Sequence, residues 1–230
     1  MGLFLFAFLY IILVIYIKVL IFILLISILY GCGNKDMESS ILIGKVILID
    51  PGHGGRDDGA SYNGILEDEI NLEIALMLQE RLLEQGVYTL ITRNADYDLS
   101  DMYSKNKKMK DLKERVKMIN EYTVDLFISL HMNVYRDNSV SGAQVFYQNK
   151  NENSKKFAEI LQKNLNEIQD KERKEMVGDY YILNNSNSVG VLVEMGFITS
   201  MEDMKKFDKK EYKFLLTNTI INSIKIYFCE

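Results

Sequence analysis

The sequence predicts an α/β protein: one domain built on a mixed, mostly parallel sheet of about six strands with helices on both faces, preceded by an N-terminal membrane helix. Three observations carry this. Short apolar runs alternate with segments whose apolar residues recur at helical spacing. The single proline and most glycines fall between those segments rather than inside them. The chain's two histidines, His53 and His131, each follow an apolar run, and strand ends are where α/β proteins place their chemistry.

The elements follow in order. Met1 to Tyr30 is apolar, with Lys18 its only charged side chain. A spanning helix needs ~20 apolar residues, so the block is long enough. Lys18 could snorkel from a tilted helix, or mark the start of a shorter signal-like core from Val19 to Tyr30. Leu29-Tyr30-Gly31-Cys32 looks like a bacterial lipoprotein cleavage site, which would make Cys32 the lipid-carrying residue; the alternative is an uncleaved anchor. Residues 1–32 are thus an anchor or signal segment, 33–44 a linker, and 45–230 the folded domain. Either way the domain is expected on the extracytoplasmic side of a bacterial cell membrane.

Lys45 to Asp50 reads as a strand closed by Pro51-Gly52. Glu67 to Gln85 places Ile70, Ile74, Leu78 and Leu82 on one helical face, and Gly86 stops it. Val87 to Thr92 is a strand, Asp111 to Tyr122 a helix, and Val124 to His131 a continuous apolar strand, expected to be central. Gly142 to Tyr147 is a strand and Ser154 to Ile168 a helix. Tyr180 to Leu183 and Val189 to Glu194 are the last strands, and Glu211 to Tyr227 the closing helix. Read as a strand, Tyr180-Tyr181 would offer only one ring to any groove beside it, because neighbouring strand residues face opposite sides.

Composition narrows the function. A net charge of −5 argues against nucleic acid as a partner. Lys105, Lys107, Lys108, Lys110, Lys113, Arg115 and Lys117 read as a solvated face balanced by Asp111 and Glu114. Cys32 and Cys229 form no disulfide framework.

The chemistry concentrates in four places. Gly52, Gly54 and Gly55 surround His53 and let the chain turn tightly. A phosphate cradle is discounted, because no helix starts there and no Lys-Ser/Thr follows. Glu67 opens the first helix. The macrodipole alone accounts for Asp68 and Glu69, but Glu67 would return over the His53 loop. Two histidines and one carboxylate from separate elements are the ligand set of a catalytic zinc site with an open fourth position. Glu194 ends a buried apolar run, where a carboxylate is costly unless functional or paired. It is assigned as general base, then general acid to the leaving amine; the alternative is a structural bond to the first loop, for example to Arg56.

These motifs carry a resemblance. Asp50-Pro51-Gly52-His53-Gly54-Gly55, Gly64 to Leu72 with its Glu67, Ser129-Leu130-His131-Met132-Asn133 and Val193-Glu194-Met195-Gly196-Phe197 resemble, in order, the zinc-dependent N-acetylmuramoyl-L-alanine amidases of bacterial cell walls, the amidase-3 family. The resemblance runs from about Lys45 to Tyr227. It implies Zn2+ on His53, Glu67 and His131, and a catalytic Glu194. Arg93 and Arg115 match family arginines, read as structural or substrate-orienting, with Arg93 and Asn133 the candidates for substrate contact. Asn133 or a backbone amide near Gly54 would steady the oxyanion. The chain departs from the family at Ser188-Val189, where proline is frequent, and at Ser200, where asparagine is.

The implied reaction is hydrolysis of the amide between the lactyl group of N-acetylmuramic acid and L-alanine in peptidoglycan. A layout of anchor plus catalytic domain resembles the amidases of spore cortex, which strip the peptide during muramic-δ-lactam formation, some with a lipoprotein activator. The alternatives are a vegetative autolysin amidase, a zinc hydrolase for another amide, and a non-catalytic, membrane-anchored peptidoglycan-binding protein.

Overall fold

A computed structural model describes residues 16–22 and 39–229. Residues 16–22 are helical (α1). Among the described residues no helix is long and apolar enough to cross a membrane. The expected membrane helix and Cys32 lie largely or wholly outside the described residues. Contacts divide the chain into Met1–Ile41 and Leu42–Glu230, and the second unit holds the sheet.

That sheet has six strands in the order β4-β1-β5-β8-β6-β7. They are β1 (Val46–Pro51), β4 (Tyr88–Ile91), β5 (Leu126–Asn133), β6 (Gln144–Tyr147), β7 (Met176–Val177) and β8 (Gly190–Phe197). β1, β4, β5 and β8 pair in parallel, whereas β6 runs antiparallel to β8. A separate two-stranded hairpin joins β2 (Ser61–Tyr62) to β3 (Ile65–Leu66). Asn63 and Gly64 form its turn, both at positive φ as a two-residue hairpin of this hand requires.

Side-chain alternation along the central strands decides what faces what. Ile47 and Ile49, Leu126, Ile128 and Leu130, and Val191 and Val193 join the larger core with α2 (Glu67–Leu83), α4 (Glu152–Asn166) and α7 (Lys210–Cys229). Leu48, Phe127 and Leu192 point the other way, onto α3 (Lys107–Glu121) and the short α5 (Tyr181–Asn185). Counting on by twos from Leu48, Phe127 and Leu192 reaches Asp50, Ser129, His131 and Glu194. The chemistry-bearing residues therefore emerge on the thinner face, at the C-terminal ends of parallel strands.

Several expectations are corrected. Tyr180–Leu183 is not a strand; Tyr181–Asn185 is helical, with Asn184 N bonded to Tyr180 O at 2.9 Å. Ile182 and Leu183 are adjacent and both buried in the same cluster, which a helical turn permits and a pleated strand does not. The sixth strand is instead the two-residue β7 at the sheet edge. A further helix, α6 (Met201–Phe207), starts at Ser200, whose hydroxyl caps Asp203 N. α3 and α4 begin earlier than expected because Asn106 and Asn151 cap them, accepting from Met109 N and Ser154 N.

Candidate active site

β1 ends in the glycine loop, and His53 sits there at φ 62°, a left-handed backbone uncommon for a residue with a side chain. Two buried arginines enforce it. Arg115 donates to Pro51 O (2.7 Å) and His53 O (2.6 Å), and pairs with Asp50 at 2.7 Å. Arg93 donates to Pro51 O, Gly52 O and Asp68 O at 3.1, 2.9 and 2.8 Å. Asp50 also accepts from Thr92 and Ser129. Burial opposes ionisation of Asp50, but Arg115 and these hydroxyls outweigh it and hold the carboxyl below its usual range. Arg93 is 0 % exposed and spends its donors on backbone carbonyls, so the expectation of substrate contact is corrected: it shapes the loop.

Glu67, 4 % exposed, is brought over that loop by the β2–β3 hairpin. Its Oε2 accepts from Ala60 N at 2.7 Å and its Oε1 from Met132 N at 3.1 Å. Oε1 also lies 3.2 Å from His53 Nε2 and 2.9 Å from His131 Nδ1. Burial works against its charge, yet the two imidazoles outweigh that and depress its pKa strongly. His131 comes from β5, its ring edge-on to His53 with centroids 4.9 Å apart. The donor atoms of His53, Glu67 and His131 all lie within 4.8 Å of one another. Two imidazoles and one carboxylate, each from a different element, suit a divalent transition metal and leave room for a fourth ligand.

Glu194 is the register partner of His131 across β5 and β8. Burial pushes its carboxyl up, against the pull of His131. Its Oε1 receives the Tyr180 hydroxyl at 3.4 Å, while Oε2 is buried without a hydrogen-bond partner among the described residues. The structural alternative through Arg56 is therefore not what is seen. Burial and the Glu194 charge keep Tyr180 protonated, hence a donor. A groove of about 550 Å³ runs over these groups, lined by His53, Glu67, His131, Asn133 and Glu194. Both Tyr180 and Tyr181 line it, correcting the one-ring expectation, because the segment is helical. Gly54 N is bonded to Asp57 O at 2.9 Å, which leaves Asn133 as the free groove-side candidate for an oxyanion.

Three participants escaped the sequence reading. Tyr180's tie to Glu194 depends on tertiary placement, and Asp57's contact with His53 Nδ1 (3.2 Å) on a local fold-back of the loop that has no periodic signal. The hairpin that aims Glu67 was announced by Asn63-Gly64, a strong local signal.

A mostly parallel sheet carrying a His-Glu-His cluster able to hold a metal, with a buried acid at its strand ends, fits a hydrolase architecture. Residues 47–226 match the N-acetylmuramoyl-L-alanine amidase family, and the chain belongs to that family. By that membership its activity is amide hydrolysis in peptidoglycan. It is 35 % identical over 194 residues to the germination-specific N-acetylmuramoyl-L-alanine amidase of Bacillus subtilis, covering 82 % of each chain. It is 33 % identical to B. subtilis LytC, spanning 81 % of this chain but 36 % of that longer one. Its fold is similar to that of the CwlD amidase from Clostridioides difficile, solved in complex with the GerS lipoprotein (TM-score 0.77, 29 % identity, 80 % of this chain, 98 % of that one).

Proposed function

We propose that this chain cleaves the bond between the N-acetylmuramic acid lactyl group and L-alanine with zinc held by His53, Glu67 and His131. The observation that carries it is the convergence of those three donors beside Glu194 at the ends of β1, β5 and β8. When bound, zinc supplies a Lewis acid for the amide carbonyl and lowers the pKa of water. Glu194 takes the proton from the attacking water and passes it to the leaving amine. Its raised pKa suits both tasks, since a base poised nearer neutrality can also serve as an acid. Tyr180 orients its carboxylate, and Asn133 faces the developing oxyanion.

The setting is part of the proposal. The apolar block ending near Tyr30 tethers the enzyme outside the cytoplasmic membrane, with Cys32 its candidate lipidation site. Similarity to the germination-specific enzyme supports a role in spore cortex, where stripped muramic acid becomes muramic-δ-lactam. A lipoprotein activator is proposed on the precedent of the CwlD complex.

The test is zinc content and muropeptide cleavage by the full chain in detergent, native and Glu194→Ala. We expect about one zinc in both and, in the variant, a kcat lower by about 10²–10⁴-fold. Zinc-free native protein, or an active Glu194→Ala, would overturn the assignment. Release of acetate instead of a free L-alanine amine would point to another amide substrate.

A further inference from the structure

The two imidazoles are not held alike. Asp57 is folded back beside His53 by reciprocal backbone bonds, Gly54 N to Asp57 O at 2.9 Å and Asp57 N to Gly54 O at 3.3 Å. Its Oδ2 lies 3.2 Å from His53 Nδ1 and 3.3 Å from Lys108 Nζ, which reaches in from α3. Its Oδ1 accepts from Gly59 N at 3.3 Å. The two ring nitrogens of His53 are thereby divided, with Nδ1 toward Asp57 and Nε2 toward Glu67 Oε1 at 3.2 Å. Among the described residues no second carboxylate lies within ion-pair distance of His131; its Nδ1 meets Glu67.

The geometry points to Asp57 as a positioning residue that fixes His53 in the Nδ1–H tautomer and so presents Nε2 to the metal, with Lys108 holding the Asp57 carboxylate in place. The inference rests on the zinc reading above. Its physical reason is local. A neutral imidazole has one donor and one acceptor nitrogen, and the hydrogen bond at one selects the other as ligand. His131 is on a central strand that places its Cβ, and its ring is held by Glu67 at 2.9 Å. His53 is on a glycine loop with left-handed φ, so its ring needs a side-chain partner. Because Asp57 is bonded to α3 through Lys108, the wall of the groove is tied to one ligand of the metal.

The test uses the full chain in detergent, and having only two histidines keeps its imidazole spectrum simple. Nitrogen-15 spectra of the zinc-bound protein should show His53 protonated on Nδ1. Chelator competition should show Asp57→Ala losing about 10–100-fold in zinc affinity. Asp57→Asn still accepts from the ring N–H, so it should lose less, and Lys108→Ala less than Asp57→Ala. Asp58→Ala, at the neighbouring exposed acid, should match the native chain. The inference is overturned by an Nε2–H tautomer, by Asp57→Ala within about 2-fold of native, or by an equal loss in Asp58→Ala. If Asp57→Ala does not fold, the tautomer in the native chain and the affinity of Asp57→Asn decide. A native chain without zinc sinks the zinc reading and this inference together; a zinc-bound native chain with an indifferent Asp57→Ala sinks only the inference.

Discussion

His53 and His131 face one another across 4.9 Å, but they are built by different means. His131 belongs to β5, which pairs with β1 on one side and β8 on the other. Its position follows from strand register, which the whole apolar core enforces. His53 sits where the sheet has ended. Its backbone is strained at a cost of order 1–3 kcal/mol, and such strain persists only where surrounding contacts over-determine it. Those contacts are polar: long-range from Arg93 and Arg115, and local from Asp57 four residues on. One ligand is therefore secured by many weak apolar contacts and the other by a few strong polar ones. The second design should break sharply when a single partner is lost.

The largest effect expected from that contrast is at Arg115→Met. Arg115 is 2 % exposed, and its loss strands Asp50 as a buried, unpaired carboxylate and frees His53 O. Breaking a buried pair from one side costs about 3–5 kcal/mol, a large share of a typical total of about 5–15 kcal/mol. Denaturant unfolding should show it, and zinc binding should weaken with it. A loss under about 1 kcal/mol would mean the loop does not depend on its arginine.

Next in size is Gly52→Ala, a lesion aimed at the strand-borne histidine. An added Cβ at Gly52 would overlap the His131 ring itself. Forcing that ring aside should cost about 1–3 kcal/mol and lower zinc affinity through His131 while the Asp57 contact stays intact. Unchanged affinity in chelator competition would show that the strand-borne ring can give way without loss.

The same contrast governs acid sensitivity. Asp50 has a folded pKa below its ordinary 3.8. A depressed carboxylate contributes stability that is fully present above its unfolded pKa and drains as pH falls through the folded one. Native stability should therefore fall as pH drops below the ordinary carboxylate range. In Arg115→Met the slope should flatten, because the Arg115 charge that outweighs burial is gone. Equal slopes in the two proteins, measured by denaturation across acid pH, would disprove the linkage.

What the sequence made legible divides along the same line. Alternating and helical periodicities report apolar burial, so the order of β1, α2, β4, β5 and β8 could be read from them. Residues reached by counting twos along those strands, Ser129, His131 and Glu194, were legible for the same reason. Tyr180–Leu183 was misread because a four-residue apolar run has no period of its own. The supports of His53 were illegible in a stronger sense. Arg115 reaches His53 O across 62 positions, and Lys108 reaches Asp57 from α3. No local pattern encodes such pairs. Arg93 illustrates the limit: its family match allowed structure or substrate, and only its burial decided.

The smallest effect should come from Tyr180→Phe, and its smallness is informative. Glu194 is strand-borne like His131, with β5 on one side and β6 on the other. Its backbone position owes nothing to Tyr180. The ring of Tyr180 stays seated in the variant, packed edge-on against Phe146 at 5.3 Å. What is lost is one hydroxyl donor at 3.4 Å, at the long end for such a bond. A loss within the ordinary range for a hydrogen bond, about 0.5–1.5 kcal/mol, corresponds to about 2- to 10-fold in kcat. KM and zinc content should stay near those of the native chain, since the ring still lines the groove and the hydroxyl bonds Glu194 rather than the donor cluster. The comparison with Asp57→Ala is then direct: one hydrogen bond removed from a strand-borne group costs less than one removed from a loop-borne ligand. A fall in kcat well beyond 10-fold, with KM unchanged, would reverse that ordering and make Tyr180 as necessary to Glu194 as Asp57 is to His53.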